Sequence, residues 1–173
     1  MQWSKNRRVL IIDDNPSIHA DFRKILGGRP VHPGLDAKEA VLFGPVEGGR
    51  ASGADDAFDI DSASQGEEGL EMALQARREG CPYALAFVDL RMPPGMDGVE
   101  TIERIWPLDA EMQFVICSAY SDYSAQDIVQ RLGCSDRLLL LRKPCDGAEI
   151  LLLAMALCEK WNLAHAMKEA TST

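Results

Sequence analysis

Five side chains in this sequence could do chemistry together, and each closes a short apolar run. Asp13 and Asp14 follow VLII, Asp89 follows ALAFV, Ser118 follows FVIC, and Lys143 comes one residue after LLLL and Arg142. Carboxylates brought close together repel, which raises at least one pKa unless a cation is present. Lys143 offers one compensating charge. A hard divalent ion offers more, since magnesium takes oxygen ligands, typically one or two carboxylates with waters and a phosphate oxygen. Such a site suits phosphoryl transfer, which needs positioning and charge neutralisation above all. Asp89 would be the nucleophile, because an aspartyl phosphate is an established type of covalent intermediate.

This chemistry requires the apolar runs to end at one place. Val9 to Ile12 reads as a strand buried on both faces, followed by Asn15 as a cap and Pro16 at the first helical position. Ile18, Phe22, Ile25 and Leu26 then recur at helical spacing up to Gly27-Gly28. Strand character resumes at Phe58 to Ala63. Ser64 with Glu67 has the spacing of a capping box, predicting a helix to about Glu79. After the strand ending at Asp89, helices are expected over Gly98 to Trp106, from Ser121 or Asp122 to Gly133, and from Gly147 to Met167. Strands are expected at Phe114 to Cys117 and Leu138 to Leu141, and Asp146 with Glu149 repeats the capping-box pattern. Apolar strands alternating with amphipathic helices predict an α/β fold, a parallel sheet with helices on both faces. In such sheets ligands gather at the carboxyl ends of the strands.

Composition narrows the function. The 173 residues suit a single domain, 1–173. Against 27 Asp and Glu stand 18 Lys and Arg, a net charge of −9, which disfavours a nucleic-acid or anionic-membrane surface. Five cysteines without a C-x-x-C pair fit reduced thiols in a cytoplasm better than a disulfide framework or zinc site. The apolar run from Ile150 to Cys158 falls below the roughly 18–20 residues of a membrane span.

The stretches RVLIIDDNPSIHADFRKIL, FVDLRMPPGMDG, VICSAYSDYS and LLLLRKPCD resemble, in order, the receiver-domain motifs of bacterial two-component response regulators. The resemblance implies a flavodoxin-like five-stranded sheet in the order 2-1-3-4-5. It places Asp89 on the phospho-accepting aspartate and Asp13 and Asp14 on the acidic pair that binds Mg2+ (or Mn2+), with Asp14 favoured as direct ligand. The backbone carbonyl of Arg91 would complete the metal set. Ser118 falls on the switch hydroxyl, and Lys143 on the lysine that meets the phosphoryl group, its bond to Pro144 cis. The implied partners are a sensor histidine kinase or phosphotransfer protein, then an output domain or a second copy. Three positions depart from the pattern. Pro94 lengthens the loop after Asp89, Leu140 stands where an aromatic is frequent, and Cys145 replaces a bulky apolar residue.

Plainer readings exist for each residue taken alone. Asp13-Asp14 could charge a helix N-terminus, Asp89 could be a turn acid, Ser118 a cap, and Lys143 a solvated lysine. Two other functions compete: a pseudo-receiver that binds partners without phosphorylation, and a haloacid-dehalogenase-type phosphatase using the Asp-x-Asp of Asp59 and Asp61. Residues 27–57 form an insert, with a helix-like piece from Leu35 to Phe43. The last helix is longer than a small sheet needs, which predicts that residues 161–173 project toward an output domain or a dimer partner.

Overall fold

The structure, a computed structural model, describes residues 5–27, 57–119, 124–133 and 135–172. Five strands form one parallel sheet: β1 Arg8–Ile12, β2 Asp59–Ala63, β3 Leu85–Asp89, β4 Gln113–Ser118 and β5 Leu138–Arg142. They lie in the order β2-β1-β3-β4-β5, the flavodoxin-like order that the resemblance implies. The register sets Ile12 beside Ala63 and Val88, Asp89 beside Cys117, and Ser118 beside Arg142. The candidate residues Asp13, Asp14, Asp89, Ser118 and Lys143 therefore sit at the carboxyl ends of the strands.

Alternation along the strands builds two cores. Leu10, Ile12, Ala86, Val88, Phe114 and Ile116 face one side, beneath helices α2 Gly66–Arg78, α3 Gly98–Ile105 and α4 Ala125–Leu132. Val9, Ile11, Leu85, Phe87, Val115 and Cys117 face the other, beneath α1 Pro16–Leu26 and α5 Gly147–Thr171. A β3 buried at all five positions needs this double cover, because a parallel strand has no solvent face.

The caps follow the sequence only in part. Asn15 accepts from the Ser17 N–H with Pro16 in the first turn, as read. The expected box at Ser64 does not form. Gln65 occupies the cap position without a side-chain bond, while the Ser64 N–H and hydroxyl both donate to Glu68. Glu67 is drawn away to accept from the Met96 N–H at 2.9 Å. A true capping box occurs instead at Ser124 and Asp127, opening α4. That start is later than Ser121 or Asp122, which lie outside the described residues, as do Leu35 to Phe43. At α5, Asp146 caps Ala148 alone.

Helix α5 is longer than expected, 25 residues ending at Thr171. Its departure from the domain was expected at Trp161, yet Trp161 is only 3% exposed. His165 stacks on that indole and contacts Glu111 at 2.8 Å, and Lys168 pairs with Glu111 at 2.9 Å. Among the described residues, α5 is the one helix that by length and composition would pass as a membrane span, at mean hydropathy 1.2. Its Ile150, Ala154, Leu157 and Cys158 are instead packed on the sheet.

Candidate functional site

Four backbone bonds tie the strand ends and the loops leaving them. The Asp13 N–H donates to Ala63, Leu90 to Cys117, and Lys143 to Ser118, at 3.0, 3.0 and 2.8 Å. The fourth closes the loop after Asp89, from the Gly98 N–H to the Leu90 carbonyl at 2.9 Å. Gly98 has no alternative here, since a Cβ would lie 2.3 Å from the Asp89 carbonyl oxygen. Glu67 grips the same loop through Met96, and backbone N–H groups, its own first and then Met96's, hold its carboxyl below the usual range. The bond between Pro93 and Pro94 in this loop is cis.

On this frame Asp13, Asp14 and Asp89 present carboxylate oxygens within 4.8 Å of one another. Asp13 and Asp89 are 3% and 8% exposed, whereas Asp14 faces solvent. Lys143 reaches in with its Nζ 3.1 Å from Asp89 and 3.4 Å from Asp13. Burial raises the Asp89 pKa, and the Asp13 charge adds to that; Lys143 and the Arg91 N–H work in the opposite direction without cancelling it. For Lys143 burial favours the neutral amine, but Asp13 and Asp89 outweigh it and the ammonium is strengthened. These three carboxylates, offset by one lysine, form a group whose oxygens are close enough to hold a metal ion.

The remaining predicted residues take their places around this set. Ser118 is fully buried, its hydroxyl donating to the Ala119 carbonyl at 3.0 Å. The Lys143–Pro144 bond is cis, as the resemblance implied. His19, partly exposed on α1, lies at the edge of the site, its Nε2 2.7 Å from the Asp13 carbonyl oxygen. Asp59 and Asp61 do not join. Asp61 accepts from the Tyr83 hydroxyl at 2.6 Å and from Arg8 at 3.0 Å, and Asp59 lies 3.5 Å from Arg8. Their carboxylates brace β2 against β1, which removes the Asp-x-Asp reading.

Beside the acids lies a cleft of about 340 Å3, walled by Phe22 and Ile25 of α1, by Ile150 of α5 and by Cys117, Lys143 and Cys145. The Cys145 thiol donates to the Arg142 carbonyl at 3.9 Å, and Cys117 and Cys145 line the same cleft. The sequence marked Cys145 only as a departure and gave Cys117 no role, since nothing local signals a pair brought together by β4 and β5.

Known proteins agree with this architecture. The chain superposes on a crystal structure described as adenylate cyclase from Rhodopirellula baltica, with TM-score 0.67, 18% identity, and coverage of 97% of this chain and 98% of that one. It superposes likewise on the receiver domain of AraT, a response regulator from Geobacillus stearothermophilus, with TM-score 0.60, 25% identity, and coverage of 91% and 97%. A response regulator receiver protein from Sinorhizobium medicae gives TM-score 0.60 at 19% identity, covering 91% and 98%. No curated protein matches the chain significantly. The sequence profile of the response regulator receiver domain matches residues 50–154, which hold Asp89, Ser118 and Lys143. Asp13 and Asp14 precede that match and reach the site through β1. With most of its length matched and its strands in this order, the chain belongs to the response regulator receiver domain family.

Proposed function

We propose that this domain accepts a phosphoryl group on Asp89 from a sensor histidine kinase or phosphotransfer protein, and so switches an output. The observation that carries it is the ammonium of Lys143 placed 3.1 Å from a buried carboxylate that two further acids crowd. A carboxylate oxygen of Asp89 attacks phosphorus as the bond to the donor's leaving atom breaks. Lys143 keeps its proton beside Asp13 and Asp89 and balances charge on the transferred oxygens. The Arg91 N–H steadies the attacking carboxylate. The Ser118 hydroxyl, lodged at the end of β4, is placed to exchange the Ala119 carbonyl for a phosphoryl oxygen.

The donor set fits a hard divalent ion: oxygen atoms only, two of the three carboxylates buried, and Asp89 raised in pKa by burial first and by the Asp13 charge second. Asp13, Asp14 and Asp89, with the Arg91 carbonyl, would hold Mg2+ or Mn2+. When bound, the ion supplies charge neutralisation for the transferring group. The exposed apolar side chains of α5, Leu152, Met155, Leu163 and Met167, are the proposed route to an output domain or a second copy. The proposed setting is the cytoplasm.

Incubation with acetyl phosphate and magnesium, followed by intact mass measurement, tests the reading. The wild type should gain one phosphoryl group and Asp89→Asn none. A folded wild type that gains nothing would make the chain a phosphorylation-independent binding module instead. Incorporation at another residue would contradict the assignment of Asp89.

A further inference from the structure

We infer that Glu67 is a positioning residue of the acceptor site. Its carboxylate, at the head of α2, fixes the loop after Asp89 and so sets how tightly the Arg91 carbonyl and the three acids hold a divalent ion. This role rests on the acceptor reading of Asp89 and on the metal set proposed with it. Glu67 stands outside the acidic group itself and acts through the backbone.

The loop from Leu90 to Asp97 carries Arg91 at its near end, and Met92, 1% exposed, roots that end in the core. Its far limb is held from another part of the sequence. The Met96 N–H donates to Glu67 Oε1 at 2.9 Å, across 29 positions of chain. Gly95 lies directly on the same carboxylate. A Cβ there would stand 2.6 Å from Glu67 Oε2, 2.8 Å from its Oε1 and 3.0 Å from Gln65 Oε1. The helix side is packed as closely, since a Cβ at Gly66 would meet the Thr101 hydroxyl oxygen at 2.2 Å and the Met96 Cβ at 3.2 Å. The head of α2 is thus pressed into the loop and the start of α3, with Glu67 as its charged contact.

Glu68 supplies the contrast. It shares the first turn of α2 and is equally exposed, but its carboxylate turns back to the Ser64 N–H and hydroxyl, at 2.7 and 2.9 Å. Both acids offer a favourable charge to the helix N-terminus, and Glu67 alone of the two also reaches the loop. Groups that orient metal ligands typically change affinity by about 10–100-fold when removed. A loop released at Met96 can still bring the Arg91 carbonyl to an ion, but it must be ordered as the ion binds. That ordering weakens binding and leaves the chemistry at Asp89 unchanged.

The test titrates the full chain with Mn2+ by calorimetry, without a phosphodonor, and follows exchange of the Met96 amide by NMR in the metal-free protein. Glu67→Ala should bind Mn2+ roughly tenfold more weakly, and its Met96 amide should exchange faster. Glu67→Gln keeps an oxygen acceptor in place and should recover most of the affinity. Gly95→Ala, whose added carbon displaces the Glu67 carboxylate, should weaken binding with Glu67 itself intact. Glu68→Ala loses the same charge and should bind as the wild type does. Wild-type affinity in Glu67→Ala, equal losses in Glu67→Ala and Glu68→Ala, or no Mn2+ binding by the wild type would overturn the role. Acetyl phosphate uptake is then followed against Mg2+ concentration. Glu67→Ala should need more Mg2+ for half its maximal rate and reach a similar maximum; a lower maximum with unchanged Mg2+ dependence refutes positioning. A wild type that binds Mn2+ but takes up no phosphoryl group counts against the acceptor reading, while the calorimetry still decides the role of Glu67.

Discussion

At the scale of single residues, the site is a balance of burial against charge. Asp89 has a folded-state pKa above its unfolded value, from burial first and Asp13 second. Such a group favours the folded state fully below the unfolded pKa, and that contribution is lost as pH rises through the folded pKa. At neutral pH the wild type thus carries the whole cost of an ionised, buried Asp89. Asp89→Asn should melt higher than wild type at neutral pH without divalent ions, and its advantage should shrink as pH falls through the carboxylate range. A lower melting temperature for the variant at neutral pH would show that the Lys143 contact outweighs burial and repulsion. The acids, Ser118 and Lys143 were legible because each follows an apolar run and needs only the strand to place it. Glu67 was misread. Its spacing from Ser64 fits a cap, but Glu68 reaches Ser64 and the Met96 N–H draws Glu67 across the loop. That loop is distant in sequence, so no local pattern announces it.

At the scale of elements, the strands were clear from their β-branched and leucine-rich runs, and the sheet order followed from the family resemblance. Helix α5 shows what periodicity leaves open. Its apolar residues run all round, and only contact decides which are core. Ile150, Ala154, Leu157, Cys158 and Trp161 are buried; Leu152, Met155, Leu163 and Met167 are exposed. Trp161→Ala should cost about 3–5 kcal/mol in chemical denaturation, the range for a buried aromatic truncated to alanine. Met167→Ala, at a side chain 72% exposed, should stay within about 0.5 kcal/mol of wild type. Equal costs at both positions would mean that a partner in solution covers the far end of the helix.

At the scale of the molecule, the connection between α1 and β2 spans residues 27–57, yet its two ends are neighbours. The Phe58 N–H donates to the Leu26 carbonyl at 3.3 Å. Replacing residues 28–56 with a few glycines and serines should therefore leave the sheet and the acceptor site intact. Shortening this loop should raise stability by on the order of 1–2 kcal/mol from closure entropy alone, read from urea melts. Loss of the fold on excision would show that the segment packs as part of the core.

The same bond brings Leu26 and Phe58 together, so the two parts of the chain on either side of the insert meet directly. Residues before Gly27 bring β1, α1 and two of the acids; residues after Ala57 bring the acceptor, the hydroxyl and the lysine. Because β1 lies between β2 and β3, neither part holds a finished sheet or a finished site. Cut within the insert, the protein becomes a natural candidate for fragment complementation, in which phosphoryl acceptance reports that two separate polypeptides have met.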